Sequence, residues 1–305
     1  MAAKPKTSHT SPLEPGMVAP LRAMLERENF EFSEKPYAHY SAARGKVNVT
    51  VYEKGPKVLV QGKETEDFVR FYLEPEILGE AKLGYEEIHQ AEMFEPHFGV
   101  DESGKGDFIG PLVIAGVFVN KEITRSLIDA GIQDSKKIGS DKRIRELAQI
   151  VRNTPGIMTE VISIGPERYN ELYEKFGNLN RMLAWGHAKI IENLHKRKPD
   201  CPRALSDQFA RPEEIERVLK GRVTGLVLEQ RTKAESDTAV AAASILARES
   251  FINWLRDKGE EIGCELPKGV SQKVREIVSG LVERHGTDIL KSLTKLHFRT
   301  AEEWI

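Results

Sequence analysis

Cysteine is scarce in this chain. Only Cys201 and Cys264 occur, far apart in the sequence, with no Cys-x-x-Cys pair and no grouping of Cys with His. The sequence therefore indicates neither a zinc site nor a disulfide framework, and unpaired cysteines are typical of a reducing compartment. The chain also lacks the ~18 consecutive apolar residues of a membrane span and the apolar N-terminal core of a signal peptide. We expect a cytoplasmic protein with no membrane partner.

An excess of charge of one sign is also missing. The formal net charge is −2, and the 305 residues are 40% hydrophobic and 30% charged. This composition is that of an ordinary globular chain, long enough for about two domains. Because the total charge indicates no class of partner, any nucleic-acid partner must be argued from local patches.

The stretch from Asp101 to Asp107 contains charged residues and glycines in a combination that a structural turn does not need. It reads Asp-Glu-Ser-Gly-Lys-Gly-Asp, so that two adjacent carboxylates suited to metal ions are followed by a Gly-Lys-Gly suited to phosphate. Apolar runs at 96–100 and 111–119 flank it and predict a β-hairpin in the middle of a sheet. Asp101 then projects from the end of a rigid strand, and we interpret the stretch as the catalytic centre.

A nucleotide-binding loop is the first alternative for this stretch. Gly99 to Gly106 nearly matches the phosphate-binding loop of nucleotide hydrolases, which requires Ser or Thr after the Lys to hold Mg²⁺. Gly106 has no side chain to offer, and Asp101 and Glu102 would repel a triphosphate from inside the loop. We therefore predict that the chain uses no nucleotide cofactor.

Two further carboxylates stand at the ends of predicted elements. Asp207 follows a short apolar strand, and Asp237 precedes the long apolar helix that begins at Thr238. On its own, Asp207 is typical of a turn residue and Asp237 of a helix N-cap. Taken with Asp101 and Glu102, however, they predict a converging acidic site. Because four carboxylates repel one another unless they bind cations, the site implies hard metal ions, Mg²⁺ or Mn²⁺.

Other polar residues allow more than one interpretation. Ser135 and Lys136 lie in a charged segment before the predicted helix at 140–152, where they form a helix-entry turn or bind a phosphate. His187 and His195 recur on a predicted helix without carboxylate partners at metal spacing. His297 lies beside Leu296 and is typical of a packed histidine rather than a proton donor.

The first part of the chain is organised differently. Residues 1–16 mix Pro, Ser, Thr, Lys and Gly and predict a disordered tail, and residues 17–74 predict a small α+β domain of a helix, about three strands and a helix. Lys46, Asn48 and Thr50 alternate with buried valines on a basic sheet face that can follow a phosphate backbone, or simply stay solvated. Residues 75–96 predict a linker, and residues 97–305 alternate strands with helices in a second, α/β domain.

The combination of motifs resembles a known family. The residues that carry the resemblance are the stretch at 101–107, the Asp-Ser-Lys-Lys at 134–137, Asp207, Asp237 with the apolar run at 239–248, the Leu-Pro-Lys-Gly at 266–269 and the Lys-Leu-His-Phe at 295–298. Together they are similar to the bacterial class 2 ribonucleases H, and to the HIII group within that class. The resemblance implies an α/β fold: a ribonuclease H-like catalytic domain, with a central mixed sheet flanked by helices, preceded by a small α+β domain like that of the TATA-box-binding protein.

The resemblance also implies roles for residues. Asp101, Glu102, Asp207 and Asp237 would be catalytic ligands of two divalent ions, Mg²⁺ or Mn²⁺, in an endonuclease that cuts the RNA strand of RNA/DNA hybrids and leaves 5′-phosphate and 3′-hydroxyl ends. Gly104, Lys105 and Gly106 would recognise the 2′-hydroxyl that distinguishes RNA from DNA. Ser135 and Lys136 would lie near the cleaved strand, and Lys46, Asn48 and Thr50 in the domain that helps to hold the hybrid. We expect a monomer.

Two other functions remain open at this stage. Another two-metal nuclease of the same fold that processes DNA would share the four carboxylates but would not need the 2′-hydroxyl contact of Gly104 to Gly106. A non-catalytic nucleic-acid-binding module would not need the acidic cluster, so that Asp101→Asn would leave its function intact.

Overall fold

A computed structural model describes residues 7–78, 91–132, 135, 138–209, 213–232 and 234–305. The chain divides into two compact units, Met1–Ala91 and Glu92–Ile305. The division falls inside the range 75–96 that the sequence indicated as a linker. In the described part of the chain, no helix is long and apolar enough to cross a membrane.

The first unit is an antiparallel sheet with helices packed on one face. Its strand order is β1-β5-β4-β3-β2. The strands are β1 (Ser8–Pro12), β2 (Glu31–Ser33), β3 (Ala38–Arg44), β4 (Val47–Tyr52) and β5 (Lys57–Gly62), and the helices are α1 (Val18–Arg27) and α2 (Thr65–Phe68), which continues as a π-helix over Val69–Leu78. The valines of β4 and β5 are buried, as their alternation predicted.

Two boundaries predicted for this unit were wrong. Ser8–Pro12 is not a disordered tail but an edge strand that pairs antiparallel with β5. Its side chains contribute little to the core, so the stretch has no apolar periodicity, and main-chain hydrogen bonds to β5 hold it instead. Residues 75–78 extend the last helix rather than beginning a linker. Residues 1–6 and 79–90 lie outside the described residues.

The polar face of β4 also differs from the prediction. Lys46 and Asn48 are exposed, but Thr50 is only 1% exposed. The Thr50 hydroxyl lies 3.1 Å from the Ser41 hydroxyl on the neighbouring strand and accepts from Lys35 Nζ at 3.4 Å. Alternation fixes the face to which a side chain points, not whether its neighbours cover it, and Thr50 is therefore not available as a surface contact.

The second unit is built on a mixed sheet. Its strand order is β10-β9-β6-β7-β8; β6, β9 and β10 run parallel, and β7 is antiparallel to both of its neighbours. The strands are β6 (His97–Ser103), β7 (Leu112–Val119), β8 (Met158–Ile164), β9 (Arg203–Asp207) and β10 (Val227–Arg231). The hairpin predicted around residues 101–111 is the β6–β7 pair, and β6 is the central strand.

Helices cover the sheet of the second unit. They are α3 (Lys121–Asp129), α4 (Asp141–Asn153), α5 (Pro166–Phe176), α6 (Leu179–Arg197), α7 (Glu213–Leu219), α8 (Thr238–Ile262), α9 (Gln272–His285) and α10 (Ile289–Leu293), with short 3₁₀ turns at Ala91–Phe94, Ala234–Ser236 and Arg299–Glu303. The apolar first half of α8 is buried, as predicted. A large core cluster joins the sheet to these helices.

Helix α8 lies directly against the central strand. A Cβ atom on Gly99 would fall 2.3 Å from the Ala239 carbonyl carbon and 2.4 Å from Val240 N, and one on Gly104 would fall 2.9 Å from the Phe251 ring. The first turn of α8 therefore lies at Gly99 and its later turns at Gly104, so that the helix and β6 run in the same direction.

This close approach predicts a large effect of one methyl group. Gly99→Ala should lower the free energy of unfolding of the second unit by about 2 kcal/mol or more, because the clash is with backbone that cannot rotate away. Gly280→Ala is the matched control: it lies within α9 and a Cβ there meets nothing within 4 Å. Urea unfolding followed by circular dichroism would measure both, and equal stability of the two variants would contradict the packing described.

Candidate active site

Asp101 and Asp207 occupy neighbouring positions at the ends of two parallel strands. Val100 pairs with Ser206 in the β6–β9 ladder, so the next residue on each strand is a carboxylate. Neighbouring strands are about 4.8 Å apart, and residues two apart point to the same face. Asp101 shares the face of Gly99, against α8, and Asp207 shares that of Leu205, which packs against Val240 of α8. Both carboxylates thus lie on the α8 side of the sheet.

Glu102 points to the opposite face of the sheet, towards α6. Its Oε2 accepts from His187 Nε2 at 3.0 Å, and its Oε1 lies 3.5 Å from Lys105 Nζ. Burial alone would raise the pKa of Glu102, but the hydrogen bonds and positive charge of His187 and Lys105 outweigh it and hold the pKa below its usual range. The sequence left His187 without a carboxylate partner because the two residues are 85 positions apart.

The three residues of the Gly-Lys-Gly segment differ in their surroundings. Gly104 has a φ of +85°, and a Cβ there would fall 2.2 Å from the Pro111 carbonyl oxygen, so packing alone requires glycine. The space beside Gly106 is open. The Lys105 ammonium lies over the Phe209 ring, 5.5 Å from its centroid, and its side chain is 37% exposed. Gly106 and Lys105 are therefore accessible to a ligand, whereas Gly104 shapes the turn.

The segment that follows is fastened to the C-terminal part of the chain. Gly269 N donates to Asp107 Oδ1 at 2.6 Å, and Gly110 N donates to the Leu293 carbonyl at 2.9 Å. Lys295 is fully buried, and its Nζ donates to the carbonyls of Asp107 at 2.8 Å and Gly110 at 2.6 Å. Burial lowers the pKa of Lys295 to about 7, against a smaller opposing effect of the Asp107 charge.

Ser135 is not available for the phosphate contact that was predicted for it. Its side chain is buried, with its Oγ 2.6 Å from Ser244 Oγ on α8, and its carbonyl accepts from Arg248. These contacts attach the segment to α8, so that Ser135 is a structural anchor. Lys136, the other residue predicted there, lies outside the described residues.

Asp237 lies apart from Asp101. Its Oδ1 accepts from Ala239 N at 2.8 Å and Val240 N at 3.3 Å, which makes it the N-cap of α8, and lies 3.0 Å from His97 Nε2. His97 is fully buried and begins β6, four residues before Asp101, a strand distance of about 13 Å. The structure therefore does not bring Asp237 to the strand ends, contrary to the prediction.

Glu235 lies on the side of the strand ends instead. The backbone N–H of Ala234 donates to Asp207 Oδ1 at 3.3 Å, so the residue after Ala234 is next to the Asp207 carboxylate. Glu235 is half-buried there, on the 3₁₀ turn that precedes α8. Glu235 was not predicted, because the carboxylate expected in this region was the one at the start of a helix. Because Asp is a preferred N-cap residue, Asp237 could have been assigned to the cap of the helix, which leaves Glu235, two residues earlier, as the candidate for the acidic site.

The donor set suits a hard cation. Asp101, Glu102 and Asp207 offer only carboxylate oxygens, the ligands that Mg²⁺ and Mn²⁺ prefer. Among the residues that the structure describes, no three Asp, Glu, His or Cys side chains are close enough together to form a metal site as they stand. Glu102 contacts His187 through Oε2 and Lys105 through Oε1. A cation at the strand ends would have to displace Lys105 from Oε1 and draw Asp101 and Asp207 towards it.

A model of the family described as Ribonuclease HII matches residues 98–301. The chain belongs to the ribonuclease HII family. Ribonuclease HIII of Protochlamydia amoebophila (strain UWE25) is 41% identical over 278 residues, which cover 91% of this chain and 90% of that protein. The crystal structure of Bst-RNase HIII in complex with Mn²⁺ has a TM-score of 0.66 at 25% identity and covers 97% of both chains. Aquifex aeolicus RNase H3 has a TM-score of 0.55 at 28% identity and covers 95% of this chain and 100% of that one.

Membership of the ribonuclease HII family decides the class of reaction. The family cleaves the RNA strand of RNA/DNA hybrids, and the chain is a ribonuclease H hydrolase. The predicted fold class, an α/β unit with a mixed sheet flanked by helices and preceded by a small domain with an antiparallel sheet, is confirmed. The matched range includes the strand ends with Asp101, Glu102 and Asp207, as well as Glu235 and Asp237.

Proposed function

We propose that this ribonuclease H hydrolyses its hybrid at the ends of β6 and β9, with two divalent ions, Mg²⁺ or Mn²⁺, held by Asp101, Glu102, Asp207 and Glu235. The observation that carries the proposal is the parallel pairing of β6 with β9, which puts Asp101 and Asp207 on adjacent strand ends. The contact of Ala234 N–H with Asp207 supports the choice of Glu235. The Mn²⁺ in the Bst-RNase HIII crystal supports the type of ion.

The chemistry needs little from the protein beyond placement and charge. Two bound divalent ions would stabilise the charge that develops on the entering and leaving oxygens of the phosphodiester. Water attacks the phosphorus, the bond to the ribose 3′-oxygen breaks and that oxygen takes up a proton, so the cut leaves a 5′-phosphate and a 3′-hydroxyl. Asp101 and Asp207 project from rigid strands, which fixes where the reacting phosphate must lie. Lys105 holds a phosphate as a point charge. A nucleophilic side chain is not required.

Recognition of RNA is assigned to the open side of the Gly-Lys-Gly segment. The space beside Gly106 lets a sugar approach the backbone, which is where a 2′-hydroxyl differs from a hydrogen. On the first unit, exposed Lys46 and Asn48 would contact the hybrid backbone; buried Thr50 would not. The proposal further includes a monomer that needs no nucleotide cofactor and acts in the cytoplasm.

Cleavage of one labelled strand in matched RNA/DNA, DNA/DNA and RNA/RNA duplexes tests the proposal. With Mg²⁺ or Mn²⁺ only the RNA strand of the hybrid should be cut, and chelator should abolish cutting. Asp101→Asn should reduce the rate by about 10²-fold or more, because it removes a charge that holds a cation. Asp129→Asn, an exposed change on α3, is the matched control.

Other results would each favour a different function. Cutting of DNA/DNA would contradict the role given to Gly106 and favour another two-metal nuclease of the same fold. Tight binding of the hybrid with no cleavage under either metal ion, and no effect of Asp101→Asn, would favour a nucleic-acid-binding module.

A further inference from the structure

We propose that His187 is a positioning residue that holds the Glu102 carboxylate at the cation site and ties it, through Ser206, to the strand that carries Asp207. This inference rests on the proposed function, because it concerns the same four carboxylates. It assigns a task to a buried histidine that the hydrolysis itself does not use.

A continuous chain of polar contacts runs beneath the strand ends. His187 Nε2 lies 3.0 Å from Glu102 Oε2, and His187 Nδ1 lies 2.9 Å from Ser206 Oγ. Ser206 Oγ also donates to the Asp207 carbonyl at 3.1 Å. His187 and Ser206 are both fully buried. One imidazole thus spans β6 and β9 one residue away from the Asp101–Asp207 pair.

The direction of the first hydrogen bond follows from the acceptor. An ionised carboxylate only accepts, so His187 Nε2–H donates to Glu102. This bond occupies Oε2, whereas Oε1 lies 3.5 Å from the ammonium of the partly exposed Lys105. Oε1 is therefore the oxygen that a cation can reach, by displacing that ammonium. Outer hydrogen-bond partners of this kind orient metal-binding side chains in general.

Helix α6 holds the imidazole in place. The residue before it, Gly186, lies so close to β7 that a Cβ would fall 2.5 Å from Ile114 Cδ1. The Phe209 ring covers the imidazole, with centroids 4.8 Å apart. Because His187 is enclosed, it cannot touch a substrate, and any effect on hydrolysis must act through Glu102.

The chain offers a matched control in a second buried histidine. His97 is also fully buried, and its Nε2 also lies 3.0 Å from a carboxylate, that of Asp237. Asp237 caps α8 and contacts His97, which lies four residues before Asp101 on β6. Replacing either histidine removes a buried imidazole from a carboxylate, but only His187 contacts a carboxylate of the proposed cation site.

The test is isothermal titration of Mn²⁺ into the full chain without nucleic acid, together with hybrid cleavage at varied Mn²⁺. His187→Ala should raise the dissociation constant for Mn²⁺ by about 10-fold or more. His187→Gln should restore most of the affinity, since its amide N–H can reach Glu102. His97→Gln should lower the melting temperature and leave Mn²⁺ affinity unchanged.

The possible failures are separable. If wild type binds no Mn²⁺ and leaves the hybrid intact, the proposed function itself is overturned. If wild type binds and cleaves while His187→Ala binds Mn²⁺ equally well, only the positioning role is overturned. Should His187→Ala fail to fold, Ser206→Ala removes the support for Nδ1 with a smaller change; it should weaken Mn²⁺ binding in the same direction, and unchanged binding would contradict the role.

Discussion

Glu235→Gln is expected to slow hybrid cleavage by about 10²-fold or more, whereas Asp237→Asn should keep the rate within a few-fold of wild type. Glutamine preserves the shape of Glu235 but removes the charge that would hold a cation, and a bound metal ion supplies several kcal/mol of stabilisation to the transition state. Asparagine at 237 keeps an oxygen that can accept from Ala239 N and Val240 N, so the cap of α8 survives.

Single-turnover cleavage at a temperature where both variants are folded would measure the difference. Asp237→Asn should also melt at a lower temperature, because His97 loses a charged partner in a buried site. A lower melting temperature together with an almost unchanged cleavage rate would show that a loss of stability alone does not slow cleavage at the temperature used. The opposite ranking, with Asp237→Asn inactive and Glu235→Gln active, would return Asp237 to the metal site and contradict the distance inferred along β6.

As the pH rises from 7 to 9, the free energy of unfolding of the second unit should increase more in wild type than in a Lys295→Met variant. The pKa of Lys295 is lowered by burial to about 7, whereas an unfolded lysine has its usual value near 10.5. Between these values the unfolded chain binds more protons than the folded chain, so wild type gains stability as pH rises. The gain between pH 7 and pH 9 should be about 2 kcal/mol.

Urea unfolding would give the free energies of unfolding of wild type and Lys295→Met at pH 7 and pH 9. The gain is the increase, from pH 7 to pH 9, in the difference between these two free energies. Methionine leaves the Asp107 and Gly110 carbonyls without the lysine donor, but that cost is the same at each pH and cancels. Lys291→Met is an exposed change on α10. Its free energy of unfolding should differ from that of wild type by the same amount at pH 7 and at pH 9. A pH-independent difference for Lys295→Met would show that Lys295 stays charged in the folded chain.

Local patterns predicted the centre of the second unit well. The apolar runs on either side of residues 101–107 indicated the β6–β7 hairpin, and the uninterrupted apolar stretch after Thr238 indicated a buried helix. These features depend on neighbours in the sequence, which a single chain reveals. The adjacency of Asp101 and Asp207 could be proposed from two strand ends, but the parallel register of β6 and β9, in which Val100 pairs with Ser206, needed the fold.

Features that depend on distant partners were not predictable in this way. An aspartate before a helix has the same pattern whether it caps the helix or binds a metal ion, and only the position of His97 distinguishes the two for Asp237. His187 meets Glu102 across two elements. The edge strand Ser8–Pro12 buries little and so carries no hydrophobic pattern, and Thr50 is covered by Ser41 from another strand.

The buried Lys295 also sets an order of events during synthesis. The loop at 104–110 leaves the ribosome 188 residues before the ammonium group that binds the Asp107 carbonyl. At about 5–20 residues per second, a nascent chain spends roughly 10–40 s with Asp101 and Glu102 made and that loop not yet bound by Lys295. The contacts of Lys295 with this loop, which the proposed function places beside the hybrid, therefore form only after that interval, and until then the loop lacks them while the chain is beside ribosomal RNA.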